Sequence, residues 1–311
     1  MPASVSPASR PASLGGDSVL RAVLYMALAV ALFPLLNASV KYLARFYPMP
    51  EIFWARYTGH VVFCVAALMP RHGLALFRSR RPGVQAWRAL LLFAASAFYF
   101  LGLETVPLAT ASAISFIGPI IVTALSVPML GEKVGIRRWT AVIIGFSGAL
   151  IIVRPGADVV QWGAILIMLD ALSYAIYQVL SRKIGNIDPA EVSITLAGIG
   201  GFLISTAIMP FSEFRAPISL VDALIFATVG LWGLLGHFFV TKAYQWGSAS
   251  IVAPVGYGEL VGTTILGYVI FGDFPDLWTW TGAAVIVGSG LYITFREHRL
   301  QRAKRAAVTA M

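Results

Sequence analysis

Ten stretches of this chain are apolar over lengths that cross, or nearly cross, a bilayer: residues 20–43, 51–69, 86–105, 107–130, 138–153, 159–181, 190–210, 221–245, 249–271 and 277–295. A helix rises ~1.5 Å per residue, so roughly 20 apolar residues span the hydrocarbon. Connectors are short and rich in turn formers, as in Tyr47-Pro48-Met49-Pro50 and Pro155-Gly156-Ala157-Asp158. Backbone polar groups in hydrocarbon need internal partners, so these stretches must be helices. The pattern predicts an all-α integral membrane protein of ten transmembrane helices with no large soluble domain.

The pattern is also written twice. Residues 107–154 and 247–296 each hold a Ser/Ala-rich start, an apolar run, a Gly-acid turn, a Trp-Thr pair and a Ser-Gly within a second apolar run. The offset from Gly131-Glu132 to Gly272-Asp273 is the same as that from Trp139-Thr140 to Trp280-Thr281. Ser147-Gly148 and Ser289-Gly290 are one position further apart, and aligning the Ser/Ala starts needs a three-residue gap. Fainter parallels link Pro50-Glu51 with Pro189-Ala190-Glu191, and Asn37 and Lys41 with Gln178 and Arg182. A duplicated bundle is a common way to build a site that two opposed gates can reach.

Charge fixes the expected orientation. The chain is 58% hydrophobic and 12% charged, with a net charge of +9. In a soluble protein that charge would suggest nucleic acid; here membrane topology explains it, and no nucleic-acid partner is expected. With the amino end in the cytoplasm, inside segments hold 18 of the 23 Lys and Arg and outside segments hold 4. Both termini are therefore expected inside. Five spans per repeat is odd, so the second copy should be inverted. The first Gly-acid turn is followed by Lys133, Arg137 and Arg138, the second by Phe274, Pro275, Asp276, Leu277 and Trp278, as opposite sides of a membrane would require. The expected organisation is a disordered cytoplasmic tail over 1–18, five-helix repeats over 19–154 and 155–296, and a basic cytoplasmic tail over 297–311. The first apolar run leads into further spans and reads as no cleaved signal peptide. The single cysteine, Cys64, excludes an intrachain disulfide and any multi-cysteine metal site.

The twin blocks, together with Pro-Glu-Ile-Phe-Trp-Ala-Arg-Tyr at 50–57, resemble the drug/metabolite transporter superfamily, specifically its ten-span EamA-type members. The resemblance covers residues 19–296 and implies a multi-pass carrier of the bacterial inner membrane. The Lys41–Tyr57 stretch and the Gly272-Asp273…Trp280 ending are similar to proteobacterial members that include riboflavin and S-adenosylmethionine carriers. That likeness makes riboflavin the first cargo reading, with S-adenosylmethionine, amino-acid-like compounds or drugs as alternatives.

Charges at mid-span are costly and need a reason, about 2.5–3.5 kcal/mol each on insertion scales. Asp170 heads a stripe of Ser173, Tyr174, Tyr177, Gln178 and Ser181, all on one helical face. That face either lines a wet cavity or forms an interhelical hydrogen-bond seam. Glu259 follows Pro254-Val-Gly-Tyr257-Gly258, a kink-prone run tolerated beside a cavity. Glu259 is either a cavity or proton-coupling residue or a satisfied buried acid. Ser112, Ser115 and Phe116 share a face with Pro119, Thr123 and Ser126, and Asn37, Trp232, His237 and Tyr257 complete the candidate lining. Tyr174, Tyr177, Tyr257 and Trp232 favour a flat ring if they face cargo. Lys41, Glu51, Arg56 and Glu104 share one end of the bundle and form a candidate outer gate or ion pair, with Arg56 pairing Glu51 or Glu104; His60 is one turn deeper. Prolines 34, 119 and 254 are candidate hinges.

No phosphate-cradling loop, metal-binding or nucleophile-elbow motif appears, and no cofactor is expected. The expected function is secondary, ATP-independent transport of a small organic molecule by alternating access, with protons a candidate coupling ion. An intramembrane enzyme is the alternative of another class, and four scattered histidines with one cysteine give it little support.

Overall fold

The computed structural model describes residues 16–131, 135–154, 162–184, 187–247 and 249–309. Residues 1–15 of the expected tail and Glu132 and Lys133 of the first Gly-acid turn lie outside the described residues. So does the 155–161 connector. Every regular element among the described residues is helical: α1 (Gly16–Leu43), α2 (Met49–His72), α3 (Pro82–Leu103), α4 (Leu108–Ser115), α5 (Gly118–Leu130), α6 (Ile136–Val153), α7 (Trp162–Ile184), α8 (Ala190–Ile208), α9 (Leu220–Trp246), α10 (Ala249–Gly256), α11 (Glu259–Phe271) and α12 (Leu277–Thr309), with short 3₁₀ turns at Gly73–Phe77 and Met209–Phe211. Among the described residues, seven helical segments are long and apolar enough to cross a membrane by length and composition. Ile143 (67% exposed) and Val269 (72%) face outward, which suits lipid rather than water as the surrounding solvent.

The duplication governs the helix bounds. One constant offset carries the starts of α2, α4, α5 and α6 onto those of α8, α10, α11 and α12, and it is the offset between the two Gly-acid turns. This removes the three-residue gap expected at the Ser/Ala starts. It also revises one faint parallel: Pro48 and Pro189, not Pro50 and Pro189, hold equivalent places. Each is the extended residue that caps its helix, at ψ 143° and 151°. Proline suits that position because its fixed φ leads into a helix and its missing N–H would be unsatisfied there. Gly131 and Gly272 end α5 and α11 in the left-handed region, at φ 69° and 73°. Only glycine adopts it without strain, which is why both copies need it.

Two expected spans are broken midway, at Phe116–Ile117 and Tyr257–Gly258, which are equivalent places under the same offset. In the first, Pro119 lies just inside α5 and cannot donate to the Ser115 carbonyl. In the second, glycines 256 and 258 flank the break and Pro254 sits in the preceding turn. Different residues thus interrupt the two copies at one place. Pro34, by contrast, lies within an unbroken α1. The basic segment expected as a tail continues α12 to Thr309.

The repeats interlock. α1 packs along α9 as α3 packs along α7, and α2 meets α9 as α8 meets α3. α6 and α12 pack on each other. Small residues allow the close approaches. A Cβ on Gly102 would stand 2.7 Å from the Gly163 carbonyl, and one on Gly282 only 2.5 Å from that of Gly148. Leu43, Ile52, Leu103, Leu108, Ile114 and Ile167 fill the shared core.

Candidate functional site

The two helix breaks lie beside a polar cluster drawn from both repeats. Ser115, the last residue of α4, donates to Asp170 Oδ2 of α7 at 2.9 Å. Asn37 of α1 donates to Tyr99 Oη at 3.2 Å and to Glu259 Oε1 at 3.4 Å. Tyr99 and Ser112 share a hydrogen bond at 3.3 Å. Glu259 opens α11, where the helix dipole favours a negative charge. Asp170 and Glu259 are close enough to interact electrostatically.

Asp170 is eight residues into α7, about 12 Å from its start. It nevertheless keeps accessible surface, as do Tyr174, Tyr177, Gln178, Phe116, Trp232, His237, Tyr257 and Glu259. Ser112 and Asn37 are buried behind them. Aromatic rings extend the site to either side. Tyr174 stacks on Tyr177 with centroids 5.6 Å apart, and His237 lies between Tyr174 and Phe33 at 6.4 and 5.2 Å. Phe116 meets Tyr257 edge-on at 5.1 Å, across the two breaks. Gln178 makes no hydrogen bond to this cluster among the described residues, and Trp232 packs against the apolar core.

Of the four residues expected at the outer gate, Lys41 and Glu104 line one pocket while Glu51 and Arg56 face elsewhere. Glu51 and Arg56 are five positions apart, about 140° around a helix, so they cannot face the same neighbour. Glu51 accepts from the Arg215 backbone N–H at 3.2 Å. Arg56 points away from both Glu51 and Glu104, donating from Nη1 to Ser96 Oγ at 3.1 Å and lying over Tyr57 and Phe100. The expected Arg56 ion pair is therefore replaced by a hydroxyl and two aromatic faces. Lys41 instead pairs with Asp273 at 3.2 Å and donates to the Val106 carbonyl at 2.7 Å. Lys41, Arg45, Glu104 and Asp273 line a pocket of about 460 Å³. Burial raises the pKa of Glu104 there. His60 sits against Gly198 and the Ile194 carbonyl, apart from that pocket.

A second polar network escaped the sequence reading. Arg88, six residues into α3, is 3% exposed and has all three guanidinium nitrogens paired. Nε donates to Ser181 at 3.0 Å, Nη2 to Tyr177 Oη at 3.3 Å and Nη1 to Gln85. Gln85 donates in turn to Asp188 and Ser193. Asp188 also accepts from the Ser79 hydroxyl and the Arg80 N–H. Burial pushes the Asp188 carboxyl up, but these hydrogen bonds outweigh it and hold it below the ordinary range. Proximity to the Arg71–Arg81 loop disguised Arg88 as a topology signal.

The EamA-like transporter family model matches residues 20–154 and again 161–295, one match per structural repeat. This chain belongs to the EamA-like transporter family. Similar relatives are a riboflavin transporter of Rhizobium johnstonii, 31% identical over 90% of this chain and 92% of that one. An S-adenosylmethionine uptake transporter of Rickettsia conorii is 30% identical over 75% of this chain and 79% of its own length. A crystal structure with 20% identity covers 92% of this chain and all of its own, with a TM-score of 0.63, and shows the shared fold. The family and its named relatives are transporters rather than enzymes, so this EamA-like chain is a multi-pass membrane transporter of small molecules.

Proposed function

We propose that this EamA-like protein is a secondary carrier of a flat-ringed organic metabolite such as riboflavin, working by alternating access. Its ten spans form two inverted five-helix repeats, with both termini cytoplasmic, in a bacterial inner membrane. The observation that carries this reading is the pair of helix breaks at equivalent places in the two repeats. Each sits beside an acid of the second repeat that accepts a hydrogen bond from the first: Asp170 from Ser115 and Glu259 from Asn37. Interrupted helices at the midplane of duplicated bundles free backbone groups for a cargo. Tyr174, Tyr177, Tyr257 and Phe116 keep accessible surface and bring aromatic rings suited to a flat cargo.

S-adenosylmethionine is a second reading, favoured by two carboxylates whose described partners are a hydroxyl and an amide rather than a cation. A sulfonium or ammonium group would complement them. The purified protein in liposomes should take up labelled riboflavin or S-adenosylmethionine saturably and exchange it against internal cargo. Linear, non-exchanging flux of either would point to a channel and overturn the carrier reading. Tags at both termini should be reachable only from the cytoplasm; an external tag would overturn the topology.

A further inference from the structure

Arg56 and Arg88 are both buried guanidinium groups, 7% and 3% exposed, and neither pairs with a carboxylate among the described residues. Their situations differ. Arg88 shows how this fold satisfies such a group, with every nitrogen bonded to a neutral partner. Arg56 has one bond, from Nη1 to Ser96. Its Nε is fully enclosed and has no partner. Because Nη1 is spent on Ser96, the unused side is the Nε–Nη2 edge, the fork that receives two oxygens of a carboxylate or phosphate.

That edge faces a glycine. A Cβ built on Gly233 of α9 would stand 3.7 Å from Nε and 3.8 Å from Nη2, ordinary van der Waals distances. The missing side chain keeps α9 from crowding the fork, which is closed in this conformation, so an oxyanion reaches it only when α2 and α9 part. The adjoining charged and titratable groups supply no negative charge. His60 and His237 are the groups that feel the Arg56 charge, and Tyr57 lies beneath it. His237 also contacts Tyr174 of the central aromatic stack, which links Arg56 to the proposed cargo site. A guanidinium stays charged at any physiological pH, and an uncompensated charge at this depth is costly.

We infer that the Nε–Nη2 edge of Arg56, beside Gly233, is an oxyanion subsite that receives a carboxylate or phosphate group borne by the cargo. The inference rests on the carrier reading and narrows its cargo: riboflavin bears no carboxylate or phosphate, so the dipolar second reading, S-adenosylmethionine, is favoured over it. With Arg56 on one side and Asp170 and Glu259 on the other, the preferred cargo is dipolar, its acidic group toward α2 and α9 and its basic group toward α7 and α11.

The test has a binding arm and a transport arm. In the first, thermal stability of the detergent-purified full chain is titrated with inorganic phosphate and with acetate at constant ionic strength. Wild type should be stabilised saturably. Arg56→Lys, which keeps the charge but lacks the fork, should lose most of the effect. Gly233→Ala should lose it while leaving Arg56 in place and the basal melt near wild type, since its methyl group fits but crowds the fork. Equal anion stabilisation in wild type and both variants, or none in wild type, overturns the subsite. In the second arm, S-adenosylmethionine is compared with its decarboxylated analogue, and flavin mononucleotide with riboflavin, in liposomes. Wild type should favour the acidic member of a transported pair on the order of tenfold, and Gly233→Ala should erase that preference. Anion stabilisation without any such preference would assign the subsite to a free anion and overturn the cargo assignment. Saturable transport with unchanged preferences in Gly233→Ala would defeat the inference alone; no carrier-type flux of any compound would defeat the carrier reading alone.

Discussion

Tyr47 and Asp188 hold equivalent places in the two repeats, and each ties its own connector to the start of a helix from the other repeat. Tyr47 donates to Asp222 of α9 at 2.8 Å and accepts from the Ile218 N–H at 2.7 Å. Asp188 accepts from Ser79, Arg80 and Gln85 at the start of α3. The chemistry is exchanged: one connector brings the phenol and finds an acid, the other brings the acid and finds donors. Both lie immediately before the capping prolines 48 and 189.

Tyr47→Phe should therefore cost more than one lost hydrogen bond. It removes the donor from a 4%-exposed carboxylate and leaves the Ile218 N–H without its acceptor. A loss of about 1–3 kcal/mol is expected. Thermal melts of wild type and variant in one detergent measure it, and an unchanged melting temperature would show that water replaces the phenol freely.

Asp188 should give the protein an acid-sensitive component of stability. Its folded pKa is depressed, so its contribution is complete above the unfolded carboxylate value, about 3.9, and is lost as pH falls through the folded value. Asp188→Asn should melt below wild type at neutral pH, and the two curves should converge on acidification below about pH 4. A constant gap between them down to acid pH would contradict this assignment.

Asn37→Ala separates Tyr99 from Glu259 and so cuts one of the bonds that join the repeats at the central cluster. Leaving buried polar partners unsatisfied costs about 1–3 kcal/mol, so Asn37→Ala should melt below wild type in one detergent, and an unchanged melt would show that the bond carries no stability. Asp170→Asn keeps an acceptor for Ser115 but removes the charge. If Asp170 couples protons, the pH dependence of uptake should flatten in that variant, and an unaltered profile would remove Asp170 from any proton path.

The α6–α12 seam offers a steric test. A side chain at Gly282 would meet the Gly148 carbonyl at 2.5 Å and Ile152 Cγ1 at 2.4 Å, whereas Gly288 has open space around it. Gly282→Leu should abolish monodisperse folded protein on size exclusion, and Gly288→Leu should preserve it. Similar behaviour of the two would mean that the seam can open.

Much of this architecture was legible because it depends on local spacing. The Gly-acid turns and the Asp170 face are visible in short windows of sequence, whereas the match of Pro48 to Pro189 needed the helix bounds. The central cluster was legible in part: Asn37, Ser112, Ser115, Asp170 and Glu259 each stand out as polar residues in apolar runs. Tyr99 does not, since a phenol among Phe98, Phe100 and Leu101 reads as one more ring. Partnerships across the fold were illegible. Lys41 meets Asp273 from the far end of the chain, and Arg56 turns from Glu51 because of helical phase. Arg88, close after a basic loop in sequence, was distinguished only by its burial within α3.

The interlocking of the repeats bears on how the protein is made. The major partner of α1 is α9 and that of α6 is α12, both from the far repeat, so a nascent chain halted after α6 has inserted helices whose matching surfaces are still untranslated. Ser115 and Asn37 would then lack their acidic partners until synthesis supplies α7 and α11. Maturation must wait for the last helix to leave the ribosome, and a prematurely terminated product should be a substrate for membrane proteases rather than a half-sized carrier.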